Sequence, residues 1–192
     1  MLAAGMSERM GVPKMLLKYK GKSLVRNVIQ ASLSSELDGA VVVINSEIDG
    51  LLQEAMVPGV SKVFLNSCPG DGLSSSVKAG LCVLPAEAEA VIFLLGDQPL
   101  ITEDEINRLI DEYAKGEYPY IYQSMYHGEI GHPVLFPRKM FSHLLNVRGD
   151  KGGRAVMKQY PRSVKYVEMD KEYPFDIDTM KDYKNLLRKE VS

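Results

Sequence analysis

The residues best suited to chemistry lie near the start of the chain, in residues 2–14, whose sequence is LAAGMSERMGVPK. Small residues open the segment and let a backbone approach a ligand closely, and Arg9 and Lys14 add positive charge. Gly5 and Gly11 permit dihedral angles closed to other residues, so the loop can turn its amide hydrogens toward an anion. A planar guanidinium beside a point-like ammonium suits a polyphosphate better than a carboxylate. The segment predicts a phosphate-binding loop; a basic surface loop is the alternative.

The spacing of this segment excludes two common phosphate loops. A Walker A loop has four residues between its glycines and a lysine directly after the second, whereas five residues separate Gly5 from Gly11 and Lys14 follows three positions later. The dinucleotide-binding pattern G-x-G-x-x-G is missing because no glycine stands two residues after Gly5.

A carboxylate follows the most apolar predicted strand, residues 90–95, which ends directly in GDQP. Ligands of open α/β sheets bind outside the carboxyl ends of strands, where Asp97 is expected. Magnesium takes one or two protein carboxylates together with water and substrate phosphates, so Asp97 is a candidate magnesium ligand. A turn or helix-cap aspartate is the alternative, although Thr102 and Glu105 predict a capping box that already serves the next helix.

A second acidic site lies near the end of the chain. Asp176 and Asp178 are two residues apart and would point the same way in an extended segment. Adjacent carboxylates repel each other unless a cation lies near them, which favours a metal role. Capping remains open for Asp178, because Thr179 and Asp182 predict a capping box for the terminal helix.

Two glycine-containing segments are further candidates. Residues 66–81, NSCPGDGLSSSVKAGL, predict a loop that enters a helix with serine caps, and such a helix end can contact an anion or a nucleobase. Residues 149–154, GDKGGR, predict a turn that opens another helix and carries Lys151 and Arg154. A plain helix cap and a solvated turn are the respective alternatives. His132 has only His127 near it and no cysteine, which favours packing or hydrogen bonding over zinc binding.

Hydrophobic periodicity predicts the elements that position these residues. A strand, helix, strand unit is predicted at 40–44, 47–56 and 60–65, after a helix at 23–33. Strands at 118–126 and 134–136 are expected to pair as an antiparallel hairpin. The remaining predicted elements are a helix after Thr102, a helix at 137–147, a strand at 164–169 and a terminal helix. Only four residues precede Gly5, so either the protein begins upstream or its first strand is unusually short.

Composition is ordinary for a globular protein, with 192 residues of which 45% are hydrophobic and 25% charged. The net charge of −2 gives no support for nucleic acid or an anionic membrane as a bulk partner. Cys68 and Cys82 are too few and too far apart for a zinc ribbon or a redox pair, and buried thiols are expected. With no signal peptide or long apolar span, a cytoplasmic location is predicted. No repeat or linker divides the chain, which predicts a single domain over residues 1–192.

Taken in order, LAAGMSERMGVPK, NSCPGDGLSSSVKAGL, GDQP, GHPVLF, GDKGGR and DIDT resemble the MobA-like NTP transferases, and among them most closely the molybdenum cofactor cytidylyltransferases. The resemblance implies an α/β fold with a doubly wound, mostly parallel sheet and helices on both faces, of the nucleotide-diphospho-sugar transferase-like Rossmann type. It also implies Mg²⁺-dependent transfer of a nucleoside monophosphate to a phosphorylated acceptor, with release of pyrophosphate. The acceptor implied is molybdopterin, and a molybdenum enzyme or its maturation factor is an implied partner.

The resemblance implies the following roles. Arg9 and Lys14 would bind the triphosphate and act in catalysis with Asp97. Asp97 and Asp178 would hold the metal, with Asp176 nearby. The nucleotide would be bound by Leu2, Ala3, Ala4, Gly5, Arg9, Lys14, Ser74 and Ser76, and the acceptor by His132, Lys151 and Arg154. The guanylyl branch commonly has LAGG where this chain has LAAG, which favours CTP over GTP.

Two other functions stay open. The same nucleotide site would serve a transferase that acts on a sugar phosphate or another small phosphorylated acceptor. A non-catalytic cofactor-binding chaperone for a molybdenum enzyme is the alternative from a different class, although a binder has less need of three aspartates at one site.

Overall fold

A computed structural model describes residues 1–7, 9–116 and 118–189. Its strands are β1 (Leu2–Ala3), β2 (Lys18–Tyr19), β3 (Lys22–Ser23), β4 (Ala40–Asn45), β5 (Val60–Asn66), β6 (Ala90–Phe93), β7 (Ile121–Tyr126), β8 (Glu129–Pro137) and β9 (Val164–Met169). Its helices are α1 (Leu24–Ser34), α2 (Leu51–Ala55), α3 (Leu73–Cys82), α4 (Glu103–Lys115), α5 (Phe141–Leu145), α6 (Gly152–Gln159) and α7 (Met180–Arg188).

The main sheet is mostly parallel and runs in the order β5-β4-β1-β6-β8-β7-β9. A parallel bridge between Leu2 and Leu95 joins its two parts, with the Leu2 amide 2.8 Å from the Leu94 carbonyl and the Gly96 amide 2.9 Å from the Leu2 carbonyl. Only β8 among these strands runs antiparallel to its neighbours, and it forms the predicted hairpin with β7. The predicted fold class is therefore confirmed.

Side chains alternate between the two faces of the sheet, and helices cover both. Val134 and Phe136 pack with α3, α5 and α6, whereas Leu135 between them packs with α4. Ala3 likewise points away from its neighbours Leu2 and Ala4 and packs with α1 and α2. The nearly continuous apolar runs of β4 and β6 follow from this burial on both faces.

Three predicted helices differ from the structure. The helix predicted at 47–56 begins only at Leu51, because Gly50 before it takes the left-handed conformation with φ of 81°. The helix predicted at 137–147 consists of a 3-10 turn at Arg138–Met140 followed by α5. The predicted serine cap of α3 is wrong, since Gly72 occupies the N-cap position and the serines lie in the first turns of the helix.

The prediction of buried thiols is also wrong: Cys68, in the loop after β5, and Cys82, at the end of α3, are both exposed. Within the described ranges, no helix has the length and apolar character that crossing a bilayer requires.

Candidate functional site

The predicted phosphate loop and the two acidic segments meet in one cleft at the carboxyl ends of β1 and β6. A cavity of about 530 Å³ lies there, between the loop after β1 and the start of α3. The predicted site residues that line it are Leu2, Ala4, Gly5, Arg9, Lys14, Ser76, Asp97 and Asp178. Residues that are up to 176 positions apart in the sequence therefore share one ligand-sized space.

Lys14 lies at the centre of the charged end of this cleft. Its Nζ donates to Asp97 Oδ2 at 2.6 Å and to Asp178 Oδ1 at 2.9 Å. The Lys14 side chain is only 10% exposed. Burial acts to lower the pKa of Lys14, but the charges and hydrogen bonds of Asp97 and Asp178 outweigh it and raise that pKa. Lys14 is therefore a fixed, buried positive charge.

Arg9 reaches the same acidic group from the solvent side, since its guanidinium donates to Asp178 Oδ2 at 2.9 Å while its side chain is 72% exposed. Burial acts to raise the pKa of Asp178, but hydrogen bonds and charges from Lys14 and Arg9 outweigh it and lower the pKa. Thr179 and Asp182 cap α7, and Asp178 faces the two cations. Asp178 therefore is not the cap of α7 and lies at the wall of the cleft instead.

Asp176 differs from Asp178 although it lies only two residues away. It accepts a hydrogen bond of 2.7 Å from Gln98 Nε2. Burial, followed by the charge of Asp97, raises the pKa of Asp176 to about 6. The site thus holds three neighbouring carboxylates, of which two are paired with cations.

Local hydrogen bonds hold the shape of the loop after β1, which lines the cleft. The Lys14 amide donates to Ser7 Oγ at 3.2 Å, and the Met10 amide donates to the Ser7 carbonyl at 3.0 Å. Gly11 takes φ of 64°, as expected for a loop that needs glycine. Glu8 lies outside the described residues.

Two of the predicted nucleotide-binding residues are not brought to the cavity wall. Ala3 is fully buried in the core, because successive side chains of β1 point to opposite faces. Ser74 is also buried, and its hydroxyl donates to the Asp71 carbonyl at 3.4 Å. Ser76 does line the cavity, and its hydroxyl accepts from Asn66 Nδ2 at 3.1 Å.

The three predicted acceptor residues lie together in a second, larger cavity of about 1220 Å³. Lys151 and Arg154 come from the start of α6, and His132 comes from β8. Leu2, Leu73, Leu95 and Asp150 line both cavities, so the two spaces adjoin. Burial lowers the pKa of His132, whose Nδ1 lies 3.3 Å from the Phe93 carbonyl, and so favours its neutral imidazole.

Sequence reasoning missed Asp150 and Gln98, although both lie inside segments that it selected. Asp150 belongs to GDKGGR and lies on the shared wall of the two cavities. Gln98 belongs to GDQP and ties the two acidic segments together. Charge within a glycine-rich turn is a signal that could have identified Asp150, whereas no sequence pattern marks Gln98.

The carboxylates fit a divalent cation that is bound together with a nucleotide. Asp97 and Asp178 both contact Lys14 Nζ, so the two carboxylates lie close together on either side of the ammonium. Two carboxylate ligands, completed by water and phosphate oxygens, match the preference of magnesium. A site built from protein ligands alone is not seen, because no group of three or more histidine, cysteine, aspartate or glutamate residues in the described part of the chain could hold a metal ion.

Comparisons with known proteins agree with this geometry. The chain is 30% identical to the purine catabolism protein PucB of Bacillus subtilis, over 100% of this chain and 95% of PucB. It is 34% identical to a 2-C-methyl-D-erythritol 4-phosphate cytidylyltransferase of Desulforamulus reducens, over 57% of this chain and 49% of that protein.

A crystal structure of Rv0371c from Mycobacterium tuberculosis H37Rv in complex with manganese has the same fold. It superposes with a TM-score of 0.80 at 26% identity, covering 97% of this chain and 95% of that one. A model of the MobA-like NTP transferase domain matches residues 1–164 of the chain. The chain therefore belongs to the MobA-like NTP transferase family and is a nucleotidyltransferase.

Proposed function

We propose that this protein transfers CMP from CTP to a phosphorylated acceptor, with a divalent cation and with release of pyrophosphate. The observation that carries the proposal is the convergence of two cations, Arg9 and Lys14, with two carboxylates, Asp97 and Asp178, in one cavity. A triphosphate needs the cations, and its metal ion needs the carboxylates.

The reaction follows from the charges. A phosphate oxygen of the acceptor attacks the α-phosphorus of CTP, the bond from that phosphorus to the bridging oxygen breaks, and pyrophosphate leaves with the electron pair. No protein nucleophile is needed, since positioning and neutralisation supply most of the catalysis in such transfers. Arg9 and Lys14 would orient the triphosphate and neutralise charge that builds up on the leaving group.

Asp97 and Asp178 would hold the metal ion, and we propose Mg²⁺. When bound, the ion would neutralise phosphate oxygens and act as a Lewis acid. The manganese complex of Rv0371c supports a divalent cation, and the carboxylate pair of this chain supplies the hard oxygen ligands that Mg²⁺ and Mn²⁺ share.

CTP is proposed as the nucleotide on two grounds, namely the LAAG sequence and the similarity to a cytidylyltransferase. Ala4 lines the nucleotide cavity, so the methyl group that distinguishes LAAG from LAGG lies where it can affect base or ribose binding. Titrations with CTP, GTP, ATP and UTP in the presence of Mg²⁺ test this choice. CTP should bind at least about tenfold more tightly than GTP, and a preference for GTP would refute it.

The chemistry of the second cavity supports molybdopterin as the acceptor. Lys151, Arg154 and Lys158 supply positive charge for a phosphate, while the exposed Tyr166 contributes aromatic surface for a planar ring system. The cavity exceeds the volume of a typical small-molecule site, which suits an acceptor larger than a simple sugar phosphate. Measuring pyrophosphate release with molybdopterin and with sugar phosphates shows which class of acceptor the protein uses.

Two substitutions test the reaction itself. Lys14→Ala and Asp97→Ala should each reduce pyrophosphate release from CTP by at least about 100-fold, because each removes a charge that contacts the reacting nucleotide or its metal. Lys18→Ala is the matched control, since Lys18 is also paired with a carboxylate but lies on the surface beside Glu54. Near wild-type turnover in the Lys14 or Asp97 variant would remove that residue from the mechanism. Tight CTP binding without turnover by the wild type, with molybdopterin supplied, would favour the chaperone function.

A further inference from the structure

Gln98 is a buried amide that follows Asp97, the proposed metal ligand, in the sequence. Its side chain is 0% exposed. Its Nε2 donates to Asp176 Oδ1 at 2.7 Å, and no residue of the described ranges hydrogen-bonds to its Oε1. A fully buried amide loses its hydration on folding, which costs free energy. The hydrogen bond to Asp176 offsets part of this cost.

The segment that carries Asp178 has no regular structure of its own. Residues 172–178 lie between β9 and α7 and belong to neither a helix nor a strand. The Ile177 amide donates to the Asp97 carbonyl at 3.0 Å, and Gln98 donates to Asp176, so both contacts attach this segment to the loop after β6. At the end of the segment, Lys14 and Arg9 contact the Asp178 carboxylate itself. The side chain of Ile177 is fully buried and anchors the segment from the apolar side.

We propose that Gln98 is a positioning residue, which holds the 172–178 segment through Asp176 and thereby keeps the Asp178 carboxylate opposite Asp97. The inference rests on the proposed function in that Asp97 and Asp178 are taken as the metal ligands. Gln98 itself is not among the residues that line the proposed nucleotide cavity. Its amide suits this role because it supplies a hydrogen-bond donor without adding charge beside three aspartates.

The test uses Gln98→Met, which keeps the length and volume of the side chain but removes the donor. Asn45→Leu is the control, because Asn45 is also a buried amide near a strand end and its Oδ1 accepts from the Glu47 amide at 2.8 Å. Two quantities are measured on the full chain. The first is hydrogen exchange of the Ile177 amide in metal-free protein. The second is binding of Mn²⁺ without nucleotide, monitored by the electron paramagnetic resonance signal of the free ion.

Gln98→Met should speed exchange of the Ile177 amide by about tenfold, because the segment opens more often once the hydrogen bond from Gln98 to Asp176 is lost. It should weaken Mn²⁺ binding by about tenfold, the usual effect of removing a residue that orients a metal ligand. At saturating metal, its kcat should stay within about threefold of wild type. Asn45→Leu should lower the melting temperature without changing either quantity. Unchanged exchange and binding in Gln98→Met, or equal changes in the control, would overturn the proposal.

If Gln98→Met does not fold, the positioning role is tested by exchanging the amide and the carboxylate between positions 98 and 176. Gln98→Glu alone places a carboxylate against Asp176 and should weaken Mn²⁺ binding, whereas adding Asp176→Asn restores a donor, an acceptor and the net charge. Binding by the double variant should return to within about threefold of wild type, and a double variant as weak as the single one would refute the positioning role. If wild-type protein binds no Mn²⁺, the proposed metal site fails, while the amide exchange of Ile177 still tests the role of Gln98.

Discussion

At the residue scale, one ammonium group forms ion pairs with two carboxylates at the charged end of the cleft. Lys14 is buried between Asp97 and Asp178, whereas Arg9 binds Asp178 from solvent. Lys14→Met, which keeps the apolar stem, should lower the free energy of unfolding by about 2 kcal/mol because it removes the cation paired with the largely buried Asp97 and one of the two cations that contact Asp178. Arg9→Ala should change it by less than about 0.5 kcal/mol. Urea denaturation of metal-free protein measures both, and equal losses would contradict this account of burial.

Asp176 gives the site a pH dependence whose sign can be stated. Its pKa is raised by burial and by the charge of Asp97 from 3.8 to about 6. Its contribution to stability is therefore fully present below pH 3.8 and is lost as pH rises to about 6. Asp176→Asn keeps an acceptor for Gln98 and removes this loss. Relative to wild type, the variant should gain about 1–2 kcal/mol of stability between pH 4 and pH 7 in metal-free protein. A difference between variant and wild type that does not change with pH would count against the raised pKa.

Residue types and spacing were sufficient to select Arg9, Lys14, Asp97 and Asp178, which line one cavity, because their charges follow glycine-rich or strand-ending segments. Ala3 could not be assigned correctly without the register of β1, since one position decides which face a side chain occupies. Gln98 could not be found at all, because its partner Asp176 is 78 residues away and only the tertiary structure brings them together.

At the element scale, the start of α3 sets how closely two loops approach. Gly72 takes φ of 78°, and a Cβ there would overlap the Asp150 carboxylate and the Gly149 backbone. Gly72→Ala should therefore displace the turn at residues 149–151, which lines both cavities through Asp150, and raise the KM for CTP by about tenfold. Steady-state kinetics measure this effect. Adding Asp150→Ala should recover only part of it, since the backbone clash remains, and an unchanged KM in Gly72→Ala would show that this junction does not shape the nucleotide site.

Element prediction succeeded where hydrophobic pattern and burial agree. The apolar run of β4 and the capping box of Thr102 and Glu105 both appear as predicted. It failed where local backbone chemistry overrides periodicity, as at Gly50, which delays α2. The strand predicted at 134–136 extends over residues 129–137. Pairing with β7 on one side and β6 on the other brings the residues before and after the predicted segment into the sheet.

At the scale of the whole molecule, the mixed sheet brings the ends of β1 and β6 together and places two adjoining cavities beside them. This arrangement suits an in-line transfer, which needs donor and acceptor phosphates in contact. Composition and charge gave no support for nucleic acid or an anionic membrane as a partner, whereas the strand order that joins residues 2–14 to the two acidic segments emerges only from tertiary pairing.

The central claim is that these three segments bind one nucleotide and its metal ion. The most direct measurement is a crystal structure of the protein soaked with CTP and Mn²⁺, with the manganese located by its anomalous signal. We predict one manganese peak at coordination distance, roughly 2.0–2.3 Å, from carboxylate oxygens of both Asp97 and Asp178, with the triphosphate against Arg9 and Lys14. A manganese peak away from both aspartates, or CTP bound outside this cleft, would contradict the account.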